Sequence, residues 1–307
     1  MGLAGSVENG KALSWALSSE NDIMRKIVLV IDESGAKGYA TVREQNPGEI
    51  GVMAGFLYPE EEIIRMESMF DSVIDFHRSN GNAKFHITDL DAESQTKLRN
   101  DIFSIFREKK FQWFYVAIYA EGYHQSEFSP GRGSQDRKAL LHAELFEKIL
   151  IHSICMSSSI QIKNLDLMVK TDNIDSGVIK IFISKAHRIS NIFIRRKRQI
   201  FKYVRDKETD NVRKEIAEIS VQSETIPKFD DINVDVTCEY SSLTIVADIL
   251  ANSVNYYLRQ NQKKTINTYI NNKQAIKDHP LVDLAIIPKD SDHVLPILDV
   301  IYRRIEE

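Results

Sequence analysis

Two acidic residues stand close behind apolar runs that are typical of buried β-strands. Asp32 follows residues 27–31, which are all apolar and mostly β-branched, and Asp172 lies just past a similar run at 165–169. An ionised carboxylate at such a place is expensive to desolvate unless a positive charge compensates it. The alternative for Asp32 is that it caps a turn into Gly35. Because the ends of adjacent strands lie at one edge of a sheet, we expect Asp32 and Asp172 to share a cation.

A third acidic residue, Asp248, lies inside a predicted helix. At helical spacing it aligns with Thr244 and Asn252 along a polar strip beside the apolar stripe of that helix. The strip either faces solvent or meets the strand ends. In the second case Asp248 completes a cluster with Asp32 and Asp172.

Two further carboxylates are candidate auxiliaries of this cluster. Glu33 directly follows Asp32, and Asp175 directly precedes Ser176, where it either binds metal or forms the N-cap of a helix. Oxygen ligands without a His or Cys ligand pattern suit Mg²⁺ or Mn²⁺ rather than Zn²⁺. Such a site favours phosphodiester hydrolysis, in which two ions activate water and stabilise the leaving oxygen.

The segment around His86 is polar and precedes a predicted helix. His86 could transfer a proton or contact a phosphate, and Lys84 could balance phosphate charge. Alternatively, Thr88, Asp89 and Asp91 simply cap the helix that follows.

A basic run stands out in a chain whose formal net charge is −4. Four consecutive cations with aromatic residues interleaved behind them could contact a phosphate backbone and stack on bases, or could form an ordinary solvated face. We favour nucleic-acid contact, because a polyanion relieves the repulsion among the cations. The predicted contacts are Arg195, Arg196, Lys197, Arg198 and Lys202.

The elements that must position these residues alternate between strand and helix patterns. Residues 1–24 show no sustained period, which predicts a flexible N-terminal tail. A core over 25–260 carries a basic insertion at about 195–225, in which two charged strands could form a hairpin around residues 206–211. A C-terminal helical extension is expected over 261–307. Apolar runs predict strands at 27–31, 39–43, 51–58, 111–119, 165–169, 199–204, 216–221 and 234–238, and helical stripes predict helices after 59 and at 92–108, 136–155, 176–194 and 243–258.

This order indicates an α/β protein with a mixed central sheet, an antiparallel edge and flanking helices. It is typical of a ribonuclease H-like core. The two cysteines, Cys155 and Cys238, have no metal-type spacing, and no apolar run approaches the roughly 20 residues that cross a bilayer. We therefore expect a reduced, cytoplasmic protein without a membrane segment.

Several of these segments together resemble the bacterial and phage family called domain of unknown function 3800, which is considered ribonuclease H-like. The matching residues are Asp32-Glu33-Ser34-Gly35 after an apolar strand, residues 85–90, Asp172, and a late segment over 239–251. That segment shows Ala247 and Asp248 of the family's Leu-Gln-x-Ala-Asp core, whereas Glu239 replaces the usual Asp and the Gln is missing. The resemblance implies an acidic metal cluster in which Glu239 is a further ligand.

The sequence thus predicts a Mg²⁺- or Mn²⁺-dependent nuclease that acts on DNA or RNA. The systems in which similar proteins occur suggest a role in phage defence or in a toxin-like system. A non-catalytic adaptor that binds nucleic acid or a partner protein is the main alternative. Assembly with a protein partner or as a homo-oligomer fits either interpretation. Hydrolysis of a small nucleotide is a third reading, which would require a closed pocket.

Overall fold

A computed structural model describes residues 24–36, 48–78, 85–120, 140–158, 163–194, 197–205, 212–220, 227–264 and 275–286. Its strands are β1 (Arg25–Gly35), β2 (Ile50–Pro59), β3 (Phe114–Tyr119), β4 (Asn164–Thr171), β5 (Lys197–Arg205), β6 (Val212–Ser220) and β7 (Asp231–Cys238). Its α-helices are α1 (Ile63–His77), α2 (Ala92–Lys109), α3 (Leu140–Ser158), α4 (Ser176–Phe193) and α5 (Ser242–Lys264). The predicted strand at 39–43 and the predicted tail up to residue 23 lie outside the described residues.

Five strands form an open, mixed sheet in the order β3-β2-β1-β4-β7. The pairs β1–β2 and β2–β3 are antiparallel, and the pairs β1–β4 and β4–β7 are parallel. The predicted α/β architecture, a mixed sheet flanked by helices, is therefore confirmed. β1 lies at the centre because its residues 27–31 are apolar on both faces, and all of them are at most 3% exposed.

Helices cover both faces of this sheet. Val28 and Val30 point into a layer built from α1, α2 and α5, which we call the α5 face. Leu29 and Ile31 point into the opposite layer, built from α3 and α4, which we call the α3 face. Each residue of β1 can thus be assigned to a face by the alternation of side chains along a strand.

β1 continues beyond the apolar run that predicted it. Its antiparallel ladder with β2 extends to the pair Gly35 and Gly51, so Asp32 lies within a strand, opposite Ala54, and not in a turn. The parallel ladder with β4 ends earlier, at Ile31 and Thr171. The polar residues after 31 suggested an end to the strand, but backbone pairing does not depend on side-chain polarity.

Two further regions complete the described structure. β5 and β6 pair as a separate antiparallel sheet, which is the hairpin that the sequence predicts. Residues 275–286 cover the outer edge of β3, where Trp113 forms a bridge with Ala285 and its indole Nε1 donates to the carbonyl of Leu281 at 3.0 Å. Among the described helices, none is both long enough and apolar enough to cross a membrane.

Candidate functional site

A row of acidic residues crosses the carboxyl ends of the three parallel strands. The ladder of β4 with β7 ends at Thr171 and Cys238, in line with the end of the ladder between β1 and β4. The next residue on each strand is acidic, and neighbouring strands lie about 4.8 Å apart. The row consists of Asp32, Asp172 and Glu239.

Asp32 occupies the central strand of this row and is only 8% exposed. Burial, together with the negative charges of Glu33 and Asp248, raises the pKa of Asp32 well above its usual value. A hydrogen bond from the backbone N–H of Glu33 to Oδ1, at 2.8 Å, opposes this shift. The carboxylate therefore lies in a desolvated environment with an excess of negative charge.

Asp248 reaches the row from α5, so the polar strip of that helix does meet the strand ends. Burial raises the pKa of Asp248 to about 6, and the negative charges of Glu33 and Asp172 contribute to the rise. His86, whose Nδ1 lies 4.0 Å from Oδ2, and the backbone N–H of Ile87 act in the opposite direction. Asp248 thus joins the loop before α2 to the acidic row.

Gly35 allows α5 to approach the end of β1 this closely. Its φ is +85°, and a Cβ at this position would lie 2.1 Å from the carbonyl oxygen of Ile50 and 2.3 Å from Nδ2 of Asn255 on α5. The same Nδ2 donates to the Ile50 carbonyl at 3.3 Å. A side chain at position 35 would therefore displace the helix that carries Asp248.

Glu33 lies on the opposite side of β1 from Asp32 and has a partner that sequence reasoning missed. Its side chain is 9% exposed, and Oε2 lies 3.3 Å from Nε2 of His142 on α3. The His142 ring packs edge-on against Phe182 at 5.0 Å between centroids. A single histidine within a helix carries no spacing signal, so the pattern of residues could not reveal this contact.

Glu239 also has an unforeseen partner. Nζ of Lys170, whose side chain is 7% exposed, lies 2.9 Å from Oε1 of Glu239. Lys170 is two residues before Asp172, so strand alternation places both on the α5 face. That spacing was the signal that could have identified Lys170 as a neighbour of the acidic row.

The remaining predicted residues lie at the margins of the site. Asp175 is exposed and occupies the N-cap position of α4, although its side chain makes no capping hydrogen bond. His86 is 40% exposed at its side chain, and its backbone N–H donates to Asp89 at 3.0 Å. Asp91 caps α2 by accepting from the backbone N–H groups of Glu93 and Ser94, so the predicted capping role is present beside the histidine.

Three of the six predicted nucleic-acid contacts lie in the charged hairpin. Lys197, Arg198 and Lys202 belong to β5. The other three, Lys84, Arg195 and Arg196, lie outside the described residues.

The donors of the acidic row fit a hard divalent cation by their chemistry. They are carboxylate oxygens, the ligands that Mg²⁺ and Mn²⁺ prefer. Within the parts of the chain that the structure describes, no three His, Cys, Asp or Glu side chains converge closely enough to hold one ion as they stand. Side-chain rotation would have to close the site around an ion. Comparison with protein-family models finds no family that matches this chain, and comparison with curated proteins finds no match either.

Proposed function

We propose that the protein is a Mg²⁺- or Mn²⁺-dependent nuclease, or a related phosphodiesterase, with a ribonuclease H-like core. The observation that carries this proposal is the excess of buried negative charge where Asp32 and Asp248 meet. Placing two carboxylates together lowers the stability of the folded protein, because each one raises the free energy of ionising the other. A divalent cation would remove that cost.

The sheet supports the ribonuclease H-like assignment. An antiparallel half, β1–β2–β3, shares its central strand with a parallel half, β1–β4–β7. The resemblance of residues 32–35 to the domain of unknown function 3800 family implies the same fold. In this interpretation the β5–β6 hairpin is the charged insertion of the core.

Asp32, Asp172 and Asp248 would hold the ion. A bound ion would supply activation of water and stabilisation of the leaving oxygen. Glu33, held by His142, would keep negative charge beside Asp32 and orient the end of β1.

His86 is the group best suited to move a proton. Its side chain is partly exposed and lies beside Asp248, where a substrate phosphate would approach. The hydrogen bond from its backbone N–H to Asp89 holds the loop in place. We expect His86 to donate a proton to the leaving oxygen or to contact the phosphate.

Nucleic acid is the proposed substrate class because the hairpin adds a basic strand to an acidic protein. Lys197, Arg198 and Lys202 on β5, together with Lys84, Arg195 and Arg196, would neutralise backbone phosphates. A role in phage defence or in a toxin-like system, action in the cytoplasm, and assembly with a protein partner or as a homo-oligomer are part of the same proposal.

A second candidate function is a non-catalytic adaptor that binds nucleic acid or a partner protein. Two observations favour it. The described side chains do not surround an ion as they stand, and Glu239 is paired with a lysine. An acidic cluster that never binds metal would leave the fold as a binding scaffold.

The deciding experiment is cleavage of labelled single- and double-stranded DNA and RNA with Mn²⁺, Mg²⁺ or chelator. We expect metal-dependent cleavage by the wild type and none by Asp32→Asn. Glu147→Gln is the matched control, because Glu147 lies on α3 and is paired with Lys185 and Arg188. Absence of cleavage together with absence of Mn²⁺ binding by calorimetry would exclude the nuclease and leave the adaptor.

A further inference from the structure

The acidic row contains two intervals in which a cation could lie. The first is between β1 and β4, where Asp32 and Asp172 follow the last paired residues and Asp248 approaches from α5. The second is between β4 and β7, where Asp172 and Glu239 follow the last paired residues, Thr171 and Cys238. A site for two divalent ions would use both intervals.

The second interval already has a cation beside it. Lys170 projects from β4 on the same face as Asp172, and its ammonium lies 2.9 Å from the carboxylate of Glu239 on β7. The lysine side chain is 7% exposed, so it is fixed by the protein and not free to leave for solvent. A buried ammonium is retained only where a carboxylate compensates it.

We propose that the Lys170 ammonium takes the place of a second divalent cation. The site would then bind one Mg²⁺ or Mn²⁺ ion, held by Asp32, Asp172 and Asp248, and Glu239 would be the partner of Lys170 and not a metal ligand. This inference rests on the proposed function. An ammonium supplies charge but no open coordination position, so only an ion held by Asp32, Asp172 and Asp248 would supply the activation of water.

The experiment is Mn²⁺ titration of the full chain by calorimetry, with electron paramagnetic resonance to count bound ions. We expect one ion per wild-type chain. Lys170→Gln leaves Glu239 without its ammonium partner, so this variant should bind a second, weaker Mn²⁺, whereas Lys170→Arg should remain at one. Lys148→Gln, which removes another buried lysine with a carboxylate neighbour, Glu144 at 3.9 Å, is the matched control and should also remain at one.

Each outcome has a distinct meaning. Two ions on the wild type would overturn the inference and leave the proposed nuclease standing, whereas no ion would exclude the metal site itself. One ion on Lys170→Gln, bound with wild-type affinity, would also overturn the inference.

A second variant covers the case in which Lys170→Gln fails to fold. Glu239 is 31% exposed at its side chain, so Glu239→Gln disturbs less buried structure. It should leave Mn²⁺ affinity within about twofold of wild type. A loss of about tenfold or more, the size expected when a ligand or its support is removed, would make Glu239 a ligand and contradict the proposal.

Discussion

Two groups of charged side chains differ sharply in how their charges are balanced. Between α3 and α4, Glu147 contacts both Lys185 and Arg188, and Glu144 lies 3.8 Å from Lys185. At the strand ends, the negative charge of Glu33 raises the pKa of both Asp32 and Asp248, and the charge of Asp248 raises the pKa of Asp32 further. The first group has a structural role, because it links two helices. A structural role of this kind does not explain the charges of the second group.

The difference indicates which group has a role beyond folding. A network in which each carboxylate has a cationic partner requires no ligand. The acidic group at the strand ends has His142 beside Glu33 and His86 beside Asp248, but its carboxylates still raise the pKa of Asp32 and Asp248, and groups perturbed in this way are frequent at functional sites. Carboxylates that cost stability and remain together are the ones that we expect to act on a cation.

The largest expected effect is on cleavage. Asp248→Asn should lower metal-dependent cleavage by at least about 100-fold, since it removes a proposed ion ligand. Glu147→Gln should retain activity within about threefold, since Glu147 pairs with Lys185 and Arg188 between α3 and α4 and is not part of the acidic row. Initial rates under saturating Mn²⁺ measure both. Equal losses of cleavage activity in Asp248→Asn and Glu147→Gln would show that the two groups of charged residues do not differ in function.

Stability should change in the opposite direction. The pKa of Asp248 is raised from 3.8 to about 6, so at pH 7 its ionisation costs the metal-free fold up to about 3 kcal/mol. Asp248→Asn should therefore increase the free energy of unfolding, measured by urea denaturation in chelator. A clear decrease would show that Asp248 already has a stabilising partner.

The stability gain should depend on pH. A carboxyl whose pKa is raised by folding binds its proton more tightly in the native state, so its contribution is lost as pH rises from 3.8 through about 6. The increase in the free energy of unfolding caused by Asp248→Asn should be full above pH 6 and should vanish below about pH 4. Burial lowers the pKa of His152 to about 4 and of His279 to about 3, which destabilises both proteins on acidification. The quantity to plot against pH is therefore the difference in free energy of unfolding between the wild type and Asp248→Asn. A difference that does not change with pH would contradict the prediction.

The smallest effect is expected in the balanced network. Arg188 is 60% exposed at its side chain, and Lys185 also contacts Glu147. Arg188→Gln should therefore lower the free energy of unfolding by less than about 1 kcal/mol. The same urea titration measures it. A loss of several kcal/mol would mean that this network is as critical to the fold as the core.

Local patterns predicted much of the fold. The apolar run at 27–31 predicted a strand buried on both faces, and the helical stripe after residue 59 predicted the helix α1, which buries Met66, Phe70 and Ile74. The polar strip of α5 likewise pointed to Asp248. Each of these signals is a period within one element, which the sequence shows directly.

The partners of the acidic residues could not be predicted in the same way. His142 meets Glu33 only because α3 packs on the face opposite α5, and Lys170 meets Glu239 only because β7 is the neighbour of β4. The choice of neighbour depends on the packing of the whole sheet. The hairpin shows the opposite case, because a local pairing was visible from two charged strands.

The strand order also determines when the site can exist. β1, the first strand in the chain, is the centre of the sheet, yet its parallel neighbour β4 and the helix that carries Asp248 are synthesised much later. Such non-local pairing makes assembly slow compared with helix formation. Asp32 emerges from the ribosome early but has no complete site until α5 follows. A chain interrupted before residue 242 would lack that helix, so incomplete synthesis should yield a protein without the proposed activity.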